Sequence, residues 1–306
     1  MFNRWYIIDA GAYQIRIFDE SKDELIQFQS IIAYKNNEVV SVASQATEYV
    51  YHRNNSIKVK YPFCEGKILS DIMPLLKYGL NIEKHIWKRP CVLICLLNRS
   101  QQEEQKWISY AKELGIYRVE FITIADLMKE HIHFYIHLGH SYTLIGLNID
   151  GKQSFQKVIP FAGYQIDEAI VQTVLKKTKC FISMEDARML KEACSKSLLK
   201  NKNAKLSCFG MNKYNQYEKV QVSSMDLWPC IEAVEKQIIL WTKQMISTCS
   251  LELQEKILEN GIYLSGGLAN CFGLQPYLKY ELKCPIICTN TPQYDIMNKM
   301  KERRND

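Results

Sequence analysis

Apolar residues alternate with polar ones over residues 7–18, IIDAGAYQIRIF, and the pattern breaks at Ala10-Gly11-Ala12, which predicts two strands joined by a turn. Strand-type patterning continues over residues 27–42. Residues 44–63 are polar and irregular, as expected of a small subdomain inserted into the first sheet. Helical spacing marks residues 69–80 and 101–114. The second of these helices has Ser100 in the N-cap position, Glu103 and Glu104 in its first turns, and Gly115 as its stop. Its apolar face is Trp107, Ile108, Ala111 and Leu114. Two short apolar runs, residues 91–97 and 119–124, have the character of buried strands.

A second alternation covers residues 133–138 and 142–149 around Gly139, with a short strand at 158–161 that ends on Ala162-Gly163. The next helix places Ile166, Ala169, Ile170 and Val174 on one face, and a helix over 185–198 turns Ala187, Leu190, Cys194 and Leu198 inward. Residues 200–222, rich in Lys and Asn, predict a second inserted hairpin. From near Ser224 a long helix follows, with the seam Leu227, Ile231, Val234, Ile238, Trp241 and Met245, and a further helical pattern ends at Asn260.

Residues 261–274, GIYLSGGLANCFGL, then combine a short strand, Ile262-Tyr263-Leu264, with a sharp turn on Ser265-Gly266-Gly267. A helix is expected to resume through Leu268, Ala269, Phe272 and Leu274. Strand, glycine turn and helix N-terminus suit an anionic group, because unpaired backbone N–H groups converge there. The same pattern also suits an ordinary tight strand-to-helix connection. In both halves a strand pair turns on a glycine, Asp9-x-Gly11 in one and His137-x-Gly139 in the other. The order of elements repeats, so the chain is expected to be a duplicated α/β unit with a ligand cleft between the copies. The expected domains are 1–132, with an insert at about 33–65, and 133–306, with an insert at about 180–223.

Composition narrows the reading. A length of 306 residues suits about two domains, and 47% hydrophobic with 24% charged residues is ordinary for a globular chain. The net charge of +6 is spread without a dominant block, which argues against nucleic acid and agrees with contact to an anionic membrane surface. No apolar run approaches the roughly 20 residues of a spanning helix. The N-terminus passes straight into strand-like sequence with no cleavage site, so no signal peptide is expected. None of the 11 cysteines forms a Cys-x-x-Cys pair, and small buried hydrophobes in a reducing cytosol are expected.

Two local features carry alternatives. His131, His133, His137 and His140 are four of the six histidines. On a strand, His131, His133 and His137 share a face, which suits either zinc, with Glu130, or histidines of a cleft or surface. In residues 84–90, KHIWKRP, Ile86 and Trp87 are bracketed by cations. That fits a membrane interface, with Phe2, Arg4 and Trp5 in support, or a Trp87 folded beneath the adjoining sheet.

Five segments together resemble the actin superfamily, and most closely the bacterial actin homologues of the MreB/Mbl family. IIDAGAYQIRIF is similar to its first phosphate loop, and PFCEGKILSDIMPLLKYGL to the return from the small subdomain, with Asp71 as its acidic residue. HLGHSYTLIGL lies where the second phosphate loop belongs, FAGYQIDEAIVQTVLKK nearly reproduces a family helix start, and GIYLSGGLANCFGL resembles the adenosine-binding turn. The resemblance implies an actin-like α/β fold of two ribonuclease-H-like domains facing a nucleotide cleft, each with a small inserted subdomain. It implies ATP with Mg²⁺ in that cleft and filaments at the inner face of the membrane. Asp9, Gly11, Gly139, Thr143, Gly163, Lys191, Gly266 and Gly267 fall on matching nucleotide-site positions, with Asp9 on the metal side.

Other positions depart from the family pattern. Thr-Ala-Asn-Thr of the first loop is replaced by Ala12-Tyr13-Gln14-Ile15. The second loop's Asp-x-Gly-Gly-Gly-Thr-Thr has become His137-Leu138-Gly139-His140-Ser141-Tyr142-Thr143. The water-orienting Glu-Glu-Pro falls on Thr123-Ile124-Ala125, a nucleotide-side glutamate on Ala193, and a third glycine on Leu268. A late glycine pair has no counterpart in residues 295–301. Losing a positioned base costs typically 10²–10⁴ in rate, so hydrolysis is expected to be absent or vestigial and ATP binding weakened or lost. The expected partners are further copies or a paralogue, the inner membrane surface and other morphogenesis proteins, in a role in rod-shape maintenance. The alternatives are a non-filament membrane adaptor of the division or pilus type, or an enzyme of the fold, a working ATPase or small-molecule kinase with His137 as its one candidate acid or base.

Overall fold

The computed structural model describes residues 2–50, 56–80, 82, 88–128, 132–200 and 202–305. The chain divides into two compact units, Met1–Lys129 with Gly151–Gln153 and Tyr294–Asp306, and Glu130–Asp150 with Ser154–Gln293. The C-terminal segment thus groups with the first unit.

The first unit opens on a meander of β1 (Phe2–Ala10), β2 (Gln14–Asp19) and β3 (Glu24–Gln29). A small sheet follows, of β4 (Ile32–Lys35), β5 (Glu38–Val42) and β6 (Ile57–Lys60), with α1 (Ala43–Thr47) within it and a two-residue hairpin, β7 (Phe63–Cys64) and β8 (Lys67–Ile68), after it. Then come α2 (Met73–Gly79), β9 (Lys88–Leu96), α3 (Gln101–Glu113) and β10 (Arg118–Thr123). The main sheet has the order β10-β9-β1-β2-β3, with β9 parallel to both β1 and β10. Ile8, Ile15, Ile17, Val92 and Ile94 of this sheet pack with Leu75 and Leu76 of α2 and Trp107 of α3. Helix α2 starts later than its apolar spacing predicts, because the Asp71 carboxylate accepts from the Met73 N–H at 2.9 Å and holds a turn ahead of it. Ile108, expected on the buried face of α3, is instead 48% exposed.

The second unit holds β11 (Ile132–Leu138), β12 (Thr143–Ile149) and β13 (Lys152–Ile159), then α4 (Gly163–Thr178) and α5 (Met184–Leu199). The expected hairpin is β14 (Lys205–Met211) with β15 (Tyr217–Ser223). Helices α6 (Ser224–Ser247) and α7 (Leu251–Asn260) lead to β16 (Ile262–Ser265), α8 (Leu274–Leu282) and β17 (Ile286–Cys288). Helix α9 (Asp295–Asn305) belongs to the first unit, where the Lys301 ammonium lies 3.6 Å from the centre of the Phe18 ring. The sheet order β13-β12-β11-β16-β17 repeats that of the first unit: an antiparallel partner beside the opening strand, then two strands added parallel on its other edge. This is the internal duplication the patterning predicts. Seam residues Leu227, Ile231, Val234 and Ile238 of α6 are buried among Ile166, Ile170 and Val174 of α4 and Leu264 of β16. None of the 11 cysteines is in a disulfide, and none is exposed.

Candidate functional site

The turn between β1 and β2 is closed by the Gly11 N–H, which donates to the Gln14 carbonyl at 2.9 Å. A Cβ at Gly11 would stand 2.8 Å from that same oxygen, so the glycine is required by the turn itself. Asp9 and Arg16 are register partners across this hairpin, which puts their side chains on one face. Arg16 Nη1 donates to Asp9 Oδ2 at 3.1 Å, Nη2 donates to Gln14 Oε1 at 3.1 Å, and the guanidinium lies 5.3 Å from the centre of the Tyr294 ring. Neither partner is well exposed, with 14% of the Arg16 side chain and 20% of the Asp9 side chain accessible. Arg16 is the residue that sequence reasoning passes over: a turn centred on Gly11 would set Asp9 opposite Tyr13, whereas the register found pairs Ala10 with Ile15 and so Asp9 with Arg16.

That pairing bears on Mg²⁺. A divalent ion needs carboxylate or water oxygens in a near-octahedral set. Here the one acid on the first loop is ion-paired to a fixed cation, and the corresponding position of the second loop is His137. The residues do not fit a divalent ion at Asp9.

The loop between β11 and β12 is built in the same way, with the Gly139 N–H donating to the Tyr142 carbonyl at 3.0 Å. Thr143 is fully buried and donates from Oγ1 to the Phe161 carbonyl at 2.7 Å, so its hydroxyl anchors the loop. The loop docks on the start of α4. The Gly163 N–H donates to the Gly139 carbonyl at 3.3 Å and the Tyr164 N–H to the His140 carbonyl at 2.7 Å. These bonds satisfy amides that a helix N-terminus otherwise offers to an anion. Lys191 of α5 is also engaged, 2.6 Å from Asp167 Oδ1 and donating to the Gly163 carbonyl at 3.2 Å. A Cβ on Gly163 would meet Lys191 Nζ at 3.3 Å and His140 Nδ1 at 3.4 Å, so the glycine admits this close packing. Burial pushes the Asp167 carboxyl up, while Lys191 pulls it the other way. Burial, with the Lys191 and Arg188 charges, holds the His140 imidazole down at about 3, so it is neutral at ordinary pH. His137 Nδ1 lies 3.1 Å from Ser265 Oγ, which ties the second loop to the third turn.

In that third turn Gly266 has φ +91°, and a Cβ there would lie 2.3 Å from the Leu138 carbonyl oxygen. Gly267 differs: a Cβ there would meet nothing within 4 Å, so of the three turns only its backbone fronts open space among the expected glycines. The helix expected to resume at Leu268 does not form. Residues Gly267–Asn270 make one 3₁₀ turn, and α8 begins at Leu274, because Gly273 has φ +90° and the Phe272 N–H is drawn to Ser195 Oγ at 2.6 Å. Helix α8 therefore does not begin at Gly266-Gly267.

Beside this loop lies a group with no counterpart in the expectations. Glu235 of α6 is fully buried, neither of its oxygens is hydrogen-bonded, and Oε2 would be 3.2 Å from a Cβ on Gly273. Burial and the nearby Glu232 push its carboxyl up to about 9. Burial, then Glu235, pushes the adjacent Cys271 thiol up to about 12. The signal was present, since Glu235 falls four residues after Ile231 and three before Ile238, on the apolar seam.

Among the described residues no group of three or more His, Cys, Asp or Glu side chains is placed to hold a metal. His133 is buried with its ring 5.3 Å from that of Tyr263. Glu130, His131, Ile86 and Trp87 lie outside the described residues.

Two α/β units with one strand plan, each turning its first hairpin on a glycine, make this an actin-like fold. Within it, the chain belongs to the MreB/Mbl protein family, whose sequence profile matches residues 4–304. It is 23% identical over 310 residues to the cell shape-determining protein Mbl of Bacillus subtilis (strain 168), covering 95% of this chain and 93% of that protein. The Mbl of Bacillus cereus (strain ATCC 10987 / NRS 248) is 22% identical, covering 96% and 93%. Among solved structures, MreB5 of Spiroplasma citri bound to AMPPNP superposes with a TM-score of 0.88 at 18% identity, over 100% of this chain and 97% of the other. MamK in a double helical filament superposes with a TM-score of 0.77 at 16% identity, over 99% of each chain. At such identities the structural likeness speaks for the fold.

Proposed function

We propose that this protein is a cytoskeletal scaffold of cell-shape maintenance, a bacterial actin homologue that works by self-association, alone or with a paralogue. The observation that carries the reading is the family match over residues 4–304, with relatives named as cell shape-determining proteins. Filament formation draws support from MamK, solved as a double helical filament, and a nucleotide ligand from MreB5, solved with AMPPNP and with ADP. ATP is the expected ligand, through Asp9, Gly11, Gly139, Thr143, Gly163, Lys191, Gly266 and Gly267.

Turnover is absent or vestigial in this reading. Thr123, Ile124 and Ala125, at the position of the family's water-orienting carboxylate, are buried and carry no acid. The neighbouring Asp126 is spent on a local turn, its Oδ2 accepting from the Thr123 N–H at 2.9 Å. With no acid at residues 123–125 to orient water and Asp9 held by Arg16, the rate falls by the factor of 10²–10⁴ typical of a missing general base, and further. The protein acts in the cytoplasm as a peripheral component of the inner membrane face, touching lipid through Ile86 and Trp87, alongside other morphogenesis proteins. No helix among the described residues is long and apolar enough to cross a membrane.

The test is sedimentation and negative-stain microscopy of the purified chain with and without ATP, with phosphate release followed in parallel. Filaments above a critical concentration, with phosphate release at background and no change on Asp9→Ala, are expected. A monomer under all conditions favours the non-filament adaptor, and release abolished by Asp9→Ala sinks the pseudo-ATPase.

A further inference from the structure

A carboxylate on a loop expected to meet polyphosphate is normally useful because it holds a divalent cation, which in turn neutralises the phosphates. Here that carboxylate already holds a cation. Arg16 is held on three sides, by Asp9 Oδ2 at 3.1 Å, by Gln14 Oε1 at 3.1 Å and by the Tyr294 ring, and its buried Nε has no hydrogen-bond partner. A metal brought to Asp9 would be repelled by the guanidinium paired with that carboxylate. Each Nη carries two N–H groups, and the two bonds described use one of each, so one N–H on each nitrogen remains for an acceptor such as a phosphate oxygen. Arg16 stands across the first unit's hairpin from Asp9, next to the Gly11 turn.

We propose that Arg16 takes the place of the divalent ion, making the Asp9–Arg16 loop a metal-independent site for the polyphosphate of a nucleotide. The inference rests on the nucleotide-site reading above but not on filament formation. The charge count gives its direction. Asp9 with a divalent ion would present a net charge of one positive unit, whereas Asp9 with Arg16 is neutral, so attraction is weaker and does not depend on magnesium.

The experiment is a calorimetric titration of the full chain with ADP and with ATP, once in EDTA and once in excess Mg²⁺. Saturable binding in EDTA is expected, with affinity unchanged or lowered by Mg²⁺. Arg16→Leu should weaken binding in EDTA by about tenfold or more, the scale of a lost charge-assisted contact, and binding to that variant should become magnesium-dependent because Asp9 is freed. Should Arg16→Leu fail to fold, Asp9→Asn serves instead, and it should tighten binding in EDTA by leaving the guanidinium uncompensated. Affinity of the wild type rising more than about threefold with Mg²⁺ overturns the proposal, as does no saturable binding in either buffer. Filaments without phosphate release alongside such a failure would leave the scaffold reading standing.

Discussion

Glu235 sets a pH dependence that can be worked out at the level of one residue. The folded chain keeps its proton to about pH 9, whereas an ordinary glutamate releases it near 4.5. The folded state therefore binds the extra proton across that window, and stability falls as pH rises through it, by at most about 1.4 kcal/mol per pH unit. Below 4.5 both states are protonated and the contribution is fully present. Glu235→Gln removes the ionisation, so its melting temperature should exceed that of the wild type at pH 8 and lose the advantage at pH 5. A thermal scan from pH 5 to 9 with parallel curves would sink this account. The paired glycines give a second contrast. Gly266→Ala forces a Cβ into the Leu138 carbonyl at positive φ and should cost several kcal/mol or prevent folding, while Gly267→Ala meets open space and should cost about 1 kcal/mol or less. Urea denaturation of the two variants measures the difference.

Helix boundaries in the second unit are decided by reciprocal caps. Ser183 Oγ accepts from the Asp186 N–H at 3.0 Å and Ser223 Oγ from the Asp226 N–H at 3.1 Å, with each aspartate returning a bond to the serine N–H. These caps flank the β14–β15 hairpin and set where α5 and α6 begin. Ser223→Ala should lower stability by about 1 kcal/mol, checked by the denaturation midpoint. Lys177, with Ser223, holds the Asp226 carboxyl down at about 2, so that contribution survives at neutral pH and is lost only as pH falls from about 4 towards 2. The periodicity of α4, α5 and α6 was legible because each buries a continuous stripe. The late starts of α2 and α8 were not, since an Asp71 turn and a bond from Phe272 to Ser195, 77 residues away in sequence, override local spacing.

For the whole molecule, the duplicated sheet order means that each half carries its own core, and that the C-terminal helix returns to the first unit. Arg304 of α9 sits 4.1 Å from the Trp5 ring centre, so removing residues 295–306 should destabilise the first unit and lower the melting temperature of the chain. The proposed membrane contact through residues 86–87 is tested on the full chain. Ile86→Ser with Trp87→Ser should reduce co-sedimentation with anionic liposomes, and an unchanged pellet would make that loop structural.

Hydrophobic period and glycine spacing determined the duplicated α/β plan, because strand and helix periods are local and repeat along the chain; polar composition marked the two inserted regions, and five motif segments carried the family resemblance. The departures at His137, His140 and Ala125 were legible for the same reason, being substitutions in recognisable motifs. Only the tertiary structure decided what the surviving residues do. Asp9 is paired with Arg16, Lys191 with Asp167, and Gly163 and Gly266 make room for neighbouring atoms. A motif records which side chain is present, whereas partners and free space depend on atoms brought together from distant parts of the chain.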